Sequence, residues 1–358
     1  MKYLIFLIAF FVSGCFEANG QRKIKQQKFS FSEMTGVINS NAYTNIHSIL
    51  IARGNELLYE HYFNGFTRNS LHDSRSSFKS ITSLLLGIAI DKGFIKDVNQ
   101  KVYSFFSGYQ VSNNDNGRQE MTIKNLLEMK SGFDCDEWTD DGKDCEDNMV
   151  KTADWVKFSL NLPMKNKPGT VWAYTSCNPM IISGIISNAT HLSIMDFAKM
   201  YLFAPMGITN YKWTVDASGH GMAAGSFYIL PSDMVKLGQM VKDLGVWKGK
   251  RIVSAAWIKE STKATIPIPD FSFMKFSKSD VAVPQPTYYG YYWYNEEVKI
   301  KGFTGNVLFA SGNGGQYIMI IKKLNLVIVF TQGNYNNWKA KRAFDILARY
   351  ILPTVKTN

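Results

Sequence analysis

The chain has 358 residues, of which 46% are hydrophobic, 14% aromatic and 19% charged, a composition that builds a core and excludes a disordered or low-complexity protein. Forty basic residues exceed 29 acidic ones, a formal charge of +11, but they are scattered singly or in twos, with the densest group at Arg22, Lys23, Lys25 and Lys28. Without clustering on a reading motif this is no nucleic-acid footprint; it supplies solubility and a weak attraction to anionic surfaces.

In chain order, Lys2 precedes the apolar run 3–12, which is too short to span a bilayer and has the length of a signal-peptide core. It ends in VSGC (12–15), which resembles the bacterial lipobox, so residues 1–14 are expected to be a cleaved leader and Cys15 the lipidated new N-terminus. A plain secretory signal with an incidental cysteine is the alternative. Residues 15–31 are polar and basic enough to serve as a tether, leaving 32–358 as one domain without repeat or linker. The expected location is on a membrane, facing the periplasm or the cell exterior.

Strand-like runs at 48–52 and 56–63 flank Arg53-Gly54-Asn55, a hairpin turn, and a second hairpin joins 316–321 to 326–331. A helix is predicted over 338–350, closed by Pro353. Between these ends, Ile81, Leu84, Leu85 and Ile88 give 80–92 a helical, amphipathic spacing that stops at Gly93, and further helices are predicted over 123–129, 178–187, 194–202 and 232–244. Strands from both termini must share one antiparallel sheet, so the fold class is α+β with a mostly helical insertion at roughly 95–225.

Cys135 and Cys145 flank an acidic loop and can form a disulfide in an oxidising, exported setting, which leaves Cys177 as a single buried thiol. The loop lacks the glycine and terminal glutamate of an EF-hand and reads as solvated. No metal is expected, because His47, His61, His72, His191 and His220 are dispersed and stand at no zinc spacing.

Ser76 and Lys79 stand three residues apart at the start of the 80–92 helix, which brings an amine within one turn of a hydroxyl. To act as a base the lysine must be partly neutral, and burial is expected to lower its pKa. Spacing alone leaves open an N-cap serine on a helix that happens to carry a lysine. Ser272 and Lys275 show the same spacing, which we take as chance.

SSFKSITSLL (76–85) resembles the S-x-x-K helix of the serine β-lactamase and penicillin-binding-protein superfamily, and more closely its class C-like branch, with esterases, D-amino peptidases and 6-aminohexanoate-dimer hydrolases. DKGFI (91–95), MTIKNLLEMKSG (121–132), PGTVWAYTS (168–176), PSDMVKLG (231–238) and ASGNGGQ (310–316) follow in that family's order, so the resemblance runs from about residue 48 to 331. It implies Ser76 as nucleophile, Lys79 as the amine beside it, and Tyr174 as the group that relays a proton to the leaving group. The oxyanion hole would be the N–H groups of Ser76 and Asn313, with Ser176, Ser311 and Gly312 toward the substrate. Ser176 stands where many members have Asn, and Ala310 where β-lactamases have a lysine that helps bind the substrate carboxylate. The expected activity is therefore hydrolysis of a small ester or amide through an acyl-serine, without a cofactor, in preference to efficient β-lactam hydrolysis. No glutamate for a deacylation water is evident. The alternatives are a catalytically silent cell-envelope protein of this fold and a true β-lactamase or D-amino peptidase. A Ser-His-Asp hydrolase is disfavoured, for the sequence has no G-x-S-x-G elbow.

Overall fold

The computed structural model describes residues 29–111, 117–139 and 142–355, so the leader, Cys15 and the tether up to residue 28 lie outside the described residues. The chain is already packed at Phe31, buried against the Tyr59 ring at 5.2 Å, just ahead of α1 (Ser32–Asn39). That helix has no counterpart in the sequence reading. Its inward residues, Met34 and Ile38, are too few to set a period.

The two terminal hairpins do meet in one antiparallel sheet. β1 (Ile46–Arg53) and β2 (Glu56–Tyr62) form the first, and α2 (Phe78–Asp91), α3 (Cys177–Thr190) and α4 (Pro231–Lys242) follow through the middle of the chain. The remaining strands are β3 (Thr287–Gly290), β4 (Trp293–Ile300), β5 (Phe303–Gly312), β6 (Gln316–Ile321) and β7 (Leu326–Gln332). Their order is β2-β1-β7-β6-β5-β4-β3, with the two-residue strand Ile266–Pro267 at the edge and Ala282–Val283 beside β4. The join is β1 on β7, with Leu50 opposite Val329 and Ile51 opposite Ile328. Every residue of β6 and β7 is buried, because helices cover both faces and such strands read as continuous apolar runs.

On one face α4 packs so closely that a Cβ on Gly238 would come 2.6 Å from Val327 and 2.9 Å from Ile318. On the other lies the C-terminal helical segment, where Phe344 packs on Phe309 and Tyr317 and Asp345 accepts from the Tyr43 hydroxyl at 2.6 Å. This segment corrects the expected end at Pro353: it runs on to Val355. A five-residue π turn, Leu347–Ile351, precedes the proline, and its wider spacing relaxes the demand for the amide hydrogen that proline lacks.

The predicted amphipathic helix is also corrected. In α2 every residue from Phe78 to Ala89 is buried, since the helix runs through the molecule between the sheet and the middle region. Its polar side chains have internal partners: Ser80 Oγ donates to Tyr292 O at 2.6 Å and Thr82 Oγ1 to Ala223 O at 2.7 Å. The middle region contains the predicted helices and a small sheet of His72–Asp73, Phe227–Ile229 and Tyr211–Trp213.

Candidate active site

Ser76 sits in a single 3₁₀ turn, Arg75–Ser77, that leads into α2. The turn is gripped on two sides. A Cβ on Gly225 would approach the Arg75 carbonyl carbon to 3.1 Å, and one on Gly312, at the end of β5, would come 2.4 Å from Ser74 O and 3.1 Å from Ser77 N. Both positions need glycine because backbone passes backbone. Arg75 itself is held at φ 47°, a left-handed conformation that costs an arginine on the order of 1 kcal/mol. Asp73 stabilises it, accepting the Arg75 N–H at 2.9 Å and pairing with its Nε at 3.0 Å. The result is a half-exposed Ser76 over a buried Lys79.

The N-cap alternative is thereby removed: Ser76 Oγ accepts from Lys79 Nζ at 2.9 Å and caps nothing. Ser272, by contrast, is the cap. Its buried hydroxyl accepts from Lys275 N at 3.0 Å and donates to Glu296 at 2.7 Å, which explains the decoy spacing.

Lys79 Nζ also donates to Ser176 Oγ at 3.0 Å and to Ala224 O at 3.1 Å, and it lies 4.8 Å from the Tyr174 ring centre. Burial pulls its pKa down, as expected, but Tyr174, Glu146 and Glu137 outweigh burial and the net shift is upward. Lys79 is therefore held as an ammonium, a correction to the predicted neutral amine. The two glutamates were not anticipated as site residues. Glu137 accepts from Ser176 N at 2.7 Å and Thr175 Oγ1 at 3.0 Å, and its second oxygen lies 2.7 Å from Ser176 Oγ. Glu146 also contacts that hydroxyl. Burial pushes the Glu137 carboxyl up to about 7, with Lys79 opposing and Glu146 reinforcing.

Cys135 and Cys145 are bonded to each other and Cys177 is a buried free thiol. The loop they close is no solvated appendage, for it carries Glu137 and delivers Glu146 to the site. Trp138, from the same loop, and Trp172 flank Tyr174 with ring centres 5.6 and 6.4 Å away.

Asn313 is exposed just beyond the close contact of Gly312 with the Ser76 turn. Its side chain is clasped by Asn336 in both directions, Nδ2 to Oδ1 at 2.6 Å and Asn336 N to Oδ1 at 2.9 Å. Ser311 is on the opposite face of the strand from Gly312, in register with Tyr317 on β6. Ala310 is 0% exposed. Among the described residues, Asp154, Asp216 and His220 bring their side chains within 4.8 Å of one another, but Asp216 is already occupied by Trp155 N, Ser218 N, His220 N and His220 Nδ1.

Residues 47–350 match the family model described as Beta-lactamase, and the chain belongs to that family. The chain is 26% identical over 224 residues to the 6-aminohexanoate-dimer hydrolase of Paenarthrobacter ureafaciens, covering 59% of this chain and 56% of that protein. It is 27% identical over 177 residues to penicillin-binding protein 4* of Bacillus subtilis (strain 168), covering 46% of this chain and 37% of that one. Among these two curated relatives, then, the chain spans at most 56% of the relative's length. A D-stereospecific amidohydrolase from Streptomyces sp. has the same fold, with TM-score 0.67, 13% identity and coverage of 91% of this chain and 99% of that one.

Proposed function

We propose that this chain is an exported serine hydrolase that cleaves an ester or amide bond through an acyl-Ser76 intermediate. Ser76 Oγ attacks the carbonyl carbon while its proton passes to the Lys79–Tyr174 unit, and the N–H groups of Ser76 and Asn313 receive the oxyanion. Tyr174 hands a proton to the departing alcohol or amine, and water then releases the acyl group. The observation that carries this reading is the 2.9 Å contact between a buried ammonium and a reachable serine hydroxyl. The curated relative named a hydrolase supports it, and the uncharged Ala310 favours neutral esters and amides over β-lactams.

The test is covalent labelling. A fluorophosphonate should add one adduct to the wild type, on the peptide containing Ser76, and Ser272→Ala should label equally. Ser76→Ala should lose the adduct and several orders of magnitude in p-nitrophenyl acetate turnover while keeping its fold by circular dichroism. Full activity in Ser76→Ala overturns the assignment.

A further inference from the structure

An ammonium has three hydrogens to donate, and Lys79 has three acceptors: Ser76 Oγ at 2.9 Å, Ser176 Oγ at 3.0 Å and Ala224 O at 3.1 Å. It cannot take the Ser76 proton until it has passed one of its own onward. Of its other neighbours, the Ala224 carbonyl cannot relay a proton and Tyr174 is assigned to the leaving group in the reading above, which leaves the Ser176 hydroxyl. Ser176 Oγ in turn meets two carboxyl oxygens, Glu137 Oε2 at 2.7 Å and Glu146 Oε2. A hydroxyl has one hydrogen, so it donates to one of them. The other can bind the remaining lone pair only if it carries a proton itself. On Glu137 that proton belongs on Oε2, because Oε1 is already an acceptor for Ser176 N and Thr175 Oγ1.

We propose that Glu137 and Glu146 share one proton across the Ser176 hydroxyl, and that this pair is the store through which Lys79 is freed to deprotonate Ser76; the second half rests on the hydrolase reading above. As Ser76 Oγ forms its bond to the substrate carbonyl carbon, its proton moves to Lys79 Nζ. Lys79 gives a proton to Ser176 Oγ, and Ser176 gives its own to the ionised member of the pair. Lys79 ends as an ammonium, the pair is neutral, and the oxyanion carries the negative charge. When the intermediate collapses, the same proton returns through Ser176 and Lys79, and by way of Tyr174 reaches the leaving group.

The surroundings suit such a store. Burial pushes Glu137 up to about 7. The groups facing the pair are Lys79, Tyr174, the Cys177 thiol, itself pushed up to about 12 by burial, and Asp73 across from Glu146. The Cys135–Cys145 bond brackets the arrangement, with Glu137 inside the closed loop and Glu146 next to Cys145.

The test measures the pre-steady-state burst of p-nitrophenol as a function of pH, beside a carbon-13 titration of the glutamate carboxyls. In the wild type the acylation rate should rise with pH through about 7, where Glu137, facing the charge of Glu146, loses the shared proton and the pair becomes a stronger acceptor. In Glu137→Gln the amide still donates to Ser176 but there is no shared proton to lose, so the midpoint near 7 should disappear. The double Glu137→Gln, Glu146→Gln variant has no acceptor and should acylate at least about a hundredfold more slowly. A midpoint left near 7 in Glu137→Gln, or a double variant as fast as the wild type, overturns the proposal, because a merely structural role would lower the rate without moving the midpoint. The wild-type titration should show a glutamate carboxyl near neutrality that is lost in Glu137→Gln. Its absence overturns the shared proton, whereas its presence without fluorophosphonate labelling of Ser76 supports the shared proton and overturns the hydrolase reading alone.

Discussion

Arg75 and Ser76 are neighbours with different surroundings. The serine is half-exposed above Lys79, and the arginine beside it stacks over Tyr335 at 4.9 Å and is paired with Asp73, its side chain 41% exposed. On the proposed hydrolase reading, that pairing bears on substrate charge. Ala310 offers only an enclosed methyl group, and the nearest cation in the turn is already neutralised by a buried carboxylate. A charge-assisted hydrogen bond to a substrate carboxylate contributes about 1.5–3 kcal/mol, roughly ten- to a hundredfold in selectivity. Without one, a methyl ester should show kcat/KM equal to or above that of the otherwise identical substrate bearing a free carboxylate. A strong preference for the acid that disappears in Arg75→Ala would show instead that the guanidinium leaves Asp73 to anchor substrate. Ala310→Lys is a poor probe of the same point, because a lysine there would have to be buried.

At the scale of elements, the site depends on a strand end pressed against a turn. Gly312 terminates β5 with its Cα over Ser74 O, and Gly225 meets the turn through Arg75. Neither contact can yield by side-chain rotation alone, because the backbone itself is in the way. In Gly312→Ala the new methyl group, 2.4 Å from a carbonyl oxygen, should push the strand end from the turn and part the Ser76 and Asn313 amides. Displacements approaching 1 Å cost catalysis up to about a hundredfold. The expected result is a kcat at least about tenfold lower, with the lysine–serine contact and fluorophosphonate labelling retained. Wild-type kcat in Gly312→Ala would mean that the strand end does not set the oxyanion geometry. The disulfide loop plays the corresponding part on the other side of Ser176, and it is there that the chain departs from what its sequence suggested.

Over the whole molecule, the sheet was legible because its strands are continuous apolar runs joined by short turns, and the pairing of β1 with β7 follows from their burial on both faces. Ser76, Lys79 and Tyr174 were legible through ordered motifs, and the structure gathers them around one ammonium. The glutamates were not, since an acidic loop looks solvated until its partner is known, and Ser176 is 39 residues from Glu137. The direction of the Lys79 shift is illegible without them, because burial lowers it and only these neighbouring charges and Tyr174 turn it upward. The bonded Cys135–Cys145 pair also bears on where the protein works, since disulfides persist in oxidising compartments outside the cytosol. That agrees with a leader read from residues 3–12, although the leader and Cys15 lie outside the described residues. Among the described residues no helix is long and apolar enough to cross a membrane; we propose, from the VSGC sequence alone, that a lipid on Cys15 attaches the protein. One acyl chain gives only marginal binding and stable anchoring takes more than one. Expressed in a bacterium that processes lipoproteins, the wild type should partition into detergent and incorporate labelled palmitate, and Cys15→Ser should do neither while labelling with fluorophosphonate as the wild type does. Wild-type protein recovered unlabelled in the aqueous phase, with its leader removed, would reduce the attachment to plain secretion and leave the disulfide as the remaining sign of the compartment.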